Sequence, residues 1–251
     1  MKLLEQRLPA ACEPGSLDHA RILTEAFDAM NRAREDSKIH LDPTTEHCGA
    51  LLTRFVEEAL AEMDKRLVTS RGTTHISVAD RLGNLCALTL TNGEGCGHLL
   101  PGTGVMLNNM LGEEDVNPHG LGRWPTNQRI SSMMAPSTLV FSDGSGLALG
   151  TGGSNRIRTA LIQVIAGTAL LGLEVETAVS MARLHLEGTR LNVEPGWSEA
   201  ATRWLTDSYA DHHVWDAHNL YFGGVHVAGR RARGEWVGFG DPRRGGVCLQ
   251  G

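Results

Sequence analysis

No sustained run of lysine or arginine interrupts the 251 residues, and a formal charge of -6 leaves no broad basic surface for a polyanion. Nucleic acid is therefore not expected as the main partner. Cysteine is sparse and unpatterned: the five residues at 12, 48, 86, 96 and 248 are odd in number and show no C-x-x-C spacing, so no disulfide framework or zinc site is written into the chain. The longest apolar run, 160–173, contains Gln163 and is too short for a membrane span. The opening Met1-Lys-Leu-Leu-Glu-Gln-Arg7 carries charge where a secretion signal needs its apolar core, so the expectation is a cytoplasmic protein without a signal peptide. The Gly-rich stretch 92–104 is followed by no Gly-Lys-Ser/Thr and no helix start, which argues against nucleotide binding. What is present is a globular balance of 41% hydrophobic and 21% charged residues. The thirty glycines gather between strand-like runs, which favours a β-rich scaffold with close backbone approaches.

Residues 73–91 organise that scaffold. Two stretches alternate small or apolar with polar side chains around a turn signal, the pattern of a β-hairpin. A two-residue turn at Leu82-Gly83 would mix polar and bulky apolar residues on one face. A three-residue turn Arg81-Leu82-Gly83, with Gly83 left-handed, sorts them cleanly. One face then carries Thr74, Ile76 and Val78 with Leu90, Leu88 and Cys86, and the other carries Thr73, His75 and Ser77 with Thr91, Thr89 and Ala87. This register places Thr73 opposite Thr91 and gives Cys86 a packing position on the apolar face.

A threonine that opens a strand after a flexible glycine suits an N-terminal nucleophile. Cleavage of Gly72-Thr73 would free an α-amine able to act as general base for the hydroxyl of the same residue. Thr-Thr also begins ordinary strands.

Elsewhere, Ser16 caps a helix with Leu17, Ala20, Leu23, Phe27 and Met30 on one stripe, after a lead-in over 1–15. A second helix is expected over 48–65. Val105-Met-Leu107 reads as a short buried strand, and 108–130 as a long loop carrying the acidic cluster Glu113-Glu-Asp115. That cluster is either a solvated turn or a carboxylate for a substrate ammonium. Ser131-Ser132 precedes strands at 137–141 and 147–149. Thr151-Gly-Gly-Ser-Asn155 then leads into a helix over 156–171, an arrangement that suits either an oxyanion held by backbone N–H groups or close strand-to-helix packing. Helices are expected over 175–184 and 199–208, and strands over 189–193, 220–228 and 235–238. Asp211, His212, His213, Asp216 and His218 match no metal spacing and read as a surface loop. Arg243 and Arg244 read as structural ion-pairing residues.

Taken in order, Gly72-Thr-Thr-His-Ile-Ser-Val-Ala-Asp80, Asn92-Gly-Glu-Gly-Cys-Gly97, Pro101-Gly-Thr-Gly-Val-Met-Leu-Asn-Asn109, Ser131-Ser-Met133, Gly152-Gly-Ser-Asn155 and Gly240-Asp-Pro-Arg-Arg-Gly-Gly246 resemble the γ-glutamyltransferase (γ-glutamyltranspeptidase) family of N-terminal nucleophile hydrolases. The resemblance covers about 72–246, with a weaker match over 18–45. It implies an α+β fold, a four-layer αββα sandwich incomplete in this chain. Residues 1–72 would be a helical segment like the end of the family's large subunit, and 73–251 a small-subunit-like catalytic domain. It also implies self-cleavage before Thr73 and transfer or hydrolysis of γ-glutamyl groups of the glutathione type, without a cofactor. By the same resemblance Thr73 is the nucleophile, Thr91 supports it, and Gly152 and Gly153 hold the oxyanion. Asn92, Glu113, Ser131 and Ser132 bind the substrate, and a large-subunit-like protein is the partner. Met110 stands where many members place a polar residue that contacts the α-amino group, and Ala182 where proline is common. An inactive remnant of the same fold and an amidase for a different acyl group are the alternatives.

Overall fold

The computed structural model describes residues 1–37, 73–93, 95–113, 116–117, 120 and 122–251. The helix expected over 48–65 and the residue Gly72 lie outside them. The described residues fall into two compact units, one drawn from 1–68 and 162–222, the other from 69–161 and 223–251.

In the first unit, helix α1 (Lys2–Arg7) precedes α2 (Leu17–Ser37). The Ser16 hydroxyl accepts from the His19 N–H at 3.2 Å, which satisfies one of the donors left open at the start of α2. The stripe predicted from spacing is the buried one: Ala20, Leu23 and Phe27 are fully enclosed. They share a core with Leu184, Leu186, Leu191, Ala201 and Leu205 from the other elements of this unit. Those elements are a three-stranded sheet, β5 (Leu184–Glu187), β6 (Arg190–Val193) and β7 (Asp211–Val214), and a helix over Glu199–Ser208 whose first turn is capped by Ser198. Gln163, the polar break in the apolar run, imitates a neighbouring strand. Its amide nitrogen donates to Leu184 O and its oxygen accepts from Leu184 N, both at 2.9 Å.

In the second unit, the hairpin of β1 (Thr73–Ala79) and β2 (Leu85–Thr91) adopts the register expected from the three-residue turn, with Thr73 opposite Thr91 and Val78 opposite Cys86. Gly83 has φ +86°, and the Asp80 carboxylate accepts from the Leu82 and Asn84 N–H groups at 2.9 Å each. The larger sheet runs β3 (Ser137–Val140), β4 (Gly146–Gly152), β8 (Gly224–Arg230) and β9 (Trp236–Phe239), antiparallel throughout. Every residue of β4 is buried. Every second residue of β4 is small, Gly146, Ala148, Gly150 and Gly152, so one face lacks bulk. The hairpin packs on that face: Cβ atoms added at 146, 150 and 152 would lie 2.8 Å from Leu85 Cδ1, 2.3 Å from the His75 ring and 2.2 Å from Thr73 O.

This packing reverses one expectation. The polar face of the hairpin is the one turned inward, so Cys86 is exposed rather than packed. Ile76, Val78, Leu88 and Leu90 are 45–53% exposed with it. Hydrogen bonds of His75 and Ser77, together with the shallow face of β4, decide the orientation. Four local expectations also change. The lead-in contains α1, anchored by fully buried Leu4. Residues 105–107 are exposed and form no named strand, pairing with 96–100 through the isolated bridge Leu99–Met106 and a bond from Cys96 N–H to Leu107 O at 3.0 Å. The helix from Val175 stops at Ser180, because Leu184–Glu187 pairs with β6 instead. Residues 211–214 are not a loop but an edge strand parallel to β6.

Candidate active site

Thr73 and Thr91 end the hairpin together. Their hydroxyl oxygens lie 3.1 Å apart, and Thr91 Oγ1 also accepts from the Gly93 N–H at 3.0 Å. Gly152 lies against the start of β1, since a Cβ there would meet Thr73 O at 2.2 Å and Thr73 Cβ at 3.1 Å. Gly153 has φ +145° and turns the chain from β4 toward the helix α3 (Arg156–Ala169). A side chain at 153 would strike Gly223 Cα at 2.9 Å. The Thr151 hydroxyl supports the same corner, donating to Gly152 O at 2.8 Å and accepting from Gly224 N–H at 2.9 Å. Threonine hydroxyls and a backbone turn without Cβ atoms thus meet in one place.

A cleft beside this corner is lined by Thr73, Thr91, Glu113 and Ser132, which the sequence singled out. Met110, Val116, Met133, Met134, Ser154 and Ile157 complete the lining, all but Ser154 of them apolar. The Glu113 carboxylate is held against Gly93, where a Cβ would come within 2.5 Å of Oε1. Ser132 Oγ accepts from Met134 N–H at 3.1 Å. Ser131 is not in the lining, and its hydroxyl donates to Val116 O at 3.1 Å. Asn92 is exposed and also outside it, with its backbone carbonyl accepting from Gly95 and Asn109 N–H groups at 3.0 and 2.8 Å. The structure therefore gathers Thr73, Thr91, Gly152, Glu113 and Ser132, and leaves Asn92 and Ser131 at the margin.

Sequence reasoning gave His75 no role. It is 5% exposed, with Nδ1 2.7 Å from Thr89 Oγ1 and Nε2 2.8 Å from Ser77 Oγ. Burial, with a smaller contribution from the charge of His226, lowers its pKa from 6.5 to about 4, so the ring is neutral near pH 7. Its signals were the spacing of two residues from Thr73 and a glycine at 150 that leaves room for a ring.

A threonine opening a strand of a hairpin that lies on a second sheet, beside a Gly-Gly turn into a helix, defines the N-terminal nucleophile hydrolase class. The profile of the gamma-glutamyltranspeptidase family matches residues 15–251, and the chain belongs to that family. It is 36% identical over 115 residues to the glutathione hydrolase proenzyme of Bacillus subtilis strain 168, covering 45% of this chain and 20% of that protein. It is 32% identical over 208 residues to the acylase ACY 1 proenzyme of Pseudomonas sp. strain V22, covering 76% and 37%. Among solved structures it is similar to the Bacillus anthracis transpeptidase CapD, with 25% identity, a TM-score of 0.58, and 71% of this chain and 99% of that one covered. A Helicobacter pylori gamma-glutamyltranspeptidase gives 28% identity and a TM-score of 0.58, with 68% and 99% covered. The chain spans 20–37% of the length of these curated relatives. Among the described residues, no helix is long and apolar enough to cross a membrane.

Proposed function

We propose that this chain carries the catalytic part of an enzyme that transfers or hydrolyses γ-glutamyl groups, after cleavage of its own Gly72-Thr73 bond. The observation that carries the reading is the 3.1 Å hydroxyl pair of Thr73 and Thr91, with Gly152 against Thr73. In self-cleavage Thr73 Oγ attacks the Gly72 carbonyl carbon and the C–N bond breaks as the hydroxyl proton passes to the nitrogen, which frees the α-amine of Thr73; water then opens the resulting ester to give the Gly72 carboxylate and restore the Thr73 hydroxyl. In turnover Thr73 Oγ attacks the γ-glutamyl amide while that amine takes its proton. The oxyanion rests on the N–H groups of Gly152 and Gly153. The amine hands its proton to the leaving group, and water or an acceptor amine then resolves the acyl-enzyme.

Glu113 is suited to the substrate ammonium and Ser131 and Ser132 to its carboxylate, with Asn92 a further substrate-binding residue. Residues 1–72 stand as the end of a large-subunit-like part, and 73–251 as the catalytic part. A large-subunit-like partner is supported by the exposed apolar face of Ile76, Val78, Leu88 and Leu90, a patch of the kind that marks an interaction surface. Denaturing gel and intact mass test self-cleavage, alone and with a candidate partner. A chain that stays whole in both cases would leave only the inactive remnant.

A second reading has an observation of its own. Met110, Met133, Met134, Val116 and Ile157 make half of the cleft lining apolar, which suits an acyl group less polar than glutamyl. The similarity to an acylase proenzyme points the same way. Release of aniline from γ-glutamyl-anilide, compared with other acyl-anilides, decides between them.

A further inference from the structure

We propose that His75 is a positioning residue for the nucleophile: one imidazole, with its hydrogen on Nε2, ties the strand of Thr73 to the strand of Thr91 and to the sheet beneath. The inference rests on the reading of Thr73 as nucleophile, but the hydrogen on Nε2 follows from geometry alone. The Ser77 hydroxyl has one hydrogen and donates it to His226 O at 3.0 Å, since a carbonyl can only accept. Ser77 Oγ must therefore accept at its 2.8 Å contact with the ring, which puts the hydrogen on Nε2. In the neutral ring Nδ1 is then bare, and Thr89 Oγ1 donates to it at 2.7 Å. The direction of every bond is fixed: Thr89 O–H to His75 Nδ1, His75 Nε2–H to Ser77 Oγ, and Ser77 O–H to the carbonyl of β8.

The position of this chain of bonds gives it its role. His75 and Thr89 are cross-strand partners, and one same-face step along the hairpin brings Thr73 and Thr91. Directly beneath, Gly150 leaves the space the imidazole fills, and one same-face step along β4 brings Gly152 under Thr73. Burial keeps the ring uncharged, so it fixes the corner without placing a positive charge beside the nucleophile. A displacement of about 1 Å at a reacting atom can lower a rate roughly 100-fold.

Two substitutions separate the ends of the ring. His75→Asn keeps an acceptor near the Nδ1 position for Thr89, whereas His75→Gln keeps a donor near the Nε2 position for Ser77. With the full chain and its partner, His75→Ala is expected to lower kcat roughly 100-fold while KM changes little, and His75→Asn to restore more of kcat than His75→Gln. Nitrogen-15 shifts of the wild-type ring should show Nε2 protonated and Nδ1 bare between pH 5.5 and 8. A ring protonated on Nδ1, or a kcat in His75→Ala equal to wild type, overturns the proposal. If the wild type neither self-cleaves nor turns over any acyl-anilide, the functional reading fails by itself. Amide exchange then decides about His75: faster exchange at Thr91 in His75→Ala, but not in His75→Asn, supports the clamp, and equal exchange in both sinks it.

Discussion

The hydroxyl of Thr73 lies 3.1 Å from that of Thr91, on the outermost cross-strand pair of the hairpin. Thr91 is in turn held by the Gly93 N–H, so the end of β2 and the loop that follows it brace the opposing threonine. Replacing Thr91 with valine keeps the shape and removes both interactions. We expect turnover to fall by a factor matching about 1–3 kcal/mol, the range for a hydrogen bond lost together with an unpaired donor. Thr91→Ser should keep most of the activity. Steady-state rates of the two variants check this, and a Thr91→Val enzyme as fast as wild type would remove Thr91 from the site.

The glycines of β4 give the second prediction. A Cβ at 150 would meet the imidazole of His75, a side chain, whereas one at 152 would meet the backbone oxygen of Thr73. Each alanine is expected to lower stability by about 1–3 kcal/mol, as overpacking does. Only Gly152→Ala should also abolish self-cleavage, because it displaces the nucleophile's own peptide group. Urea denaturation and intact mass read the two effects separately.

What could be read from the chain alone was mostly local. The hairpin register was legible because Gly83 and the segregation of side chains admitted one turn. The start of α2 was legible because Ser16 precedes an apolar stripe. The direction in which the hairpin turns its polar face was not, because that depends on the small residues of β4, some seventy positions away. Their spacing of two, Gly146, Ala148, Gly150 and Gly152, was a signal in plain view. Of the site, local pattern offered Thr73, its partner Thr91 and the Gly-Gly turn as candidates, and the family resemblance gave them their roles. Met133 and Met134 enter the cleft only through the path of a long loop, which no periodicity describes. The 211–214 strand escaped notice for a similar reason, since its partner is a parallel edge rather than a hairpin neighbour.

Asp241 supports a third prediction, about the end of the chain. It is fully buried and accepts from the N–H groups of Val225 and Arg243, at 3.0 Å each, and from Arg243 Nη1 at 3.3 Å. Asp241→Ala takes the carboxylate away from a buried guanidinium and two amide donors, so it should destabilise the protein by about 3–5 kcal/mol. Asp241→Asn keeps the shape and one acceptor oxygen and should be milder. Equilibrium unfolding of both variants tests the order, and equal losses would mean that shape alone matters.

Acid should weaken both units, through two buried histidines. Burial lowers His19 and His75 each from 6.5 to about 4, with the charge of His226 adding to the shift of His75. His19 accepts from the Gly15 N–H through Nδ1 at 3.0 Å and lies against Trp197, with ring centroids 5.3 Å apart. Between about pH 6.5 and pH 4 the unfolded chain binds protons that the folded chain refuses. Stability attributable to these rings is therefore complete above about pH 6.5, falls as the pH drops through that window, and levels off below about pH 4. Each histidine can contribute a slope of up to about 1.4 kcal/mol per pH unit. Neither His19→Asn nor His75→Asn has a titrating ring, and each variant should lose one proton's share of the slope while retaining the other's. Urea midpoints at pH 7, 5.5 and 4.5 measure it. A slope unchanged in both variants would place the acid sensitivity elsewhere, and a slope lost wholly with one of them would mean that a single ring governs it.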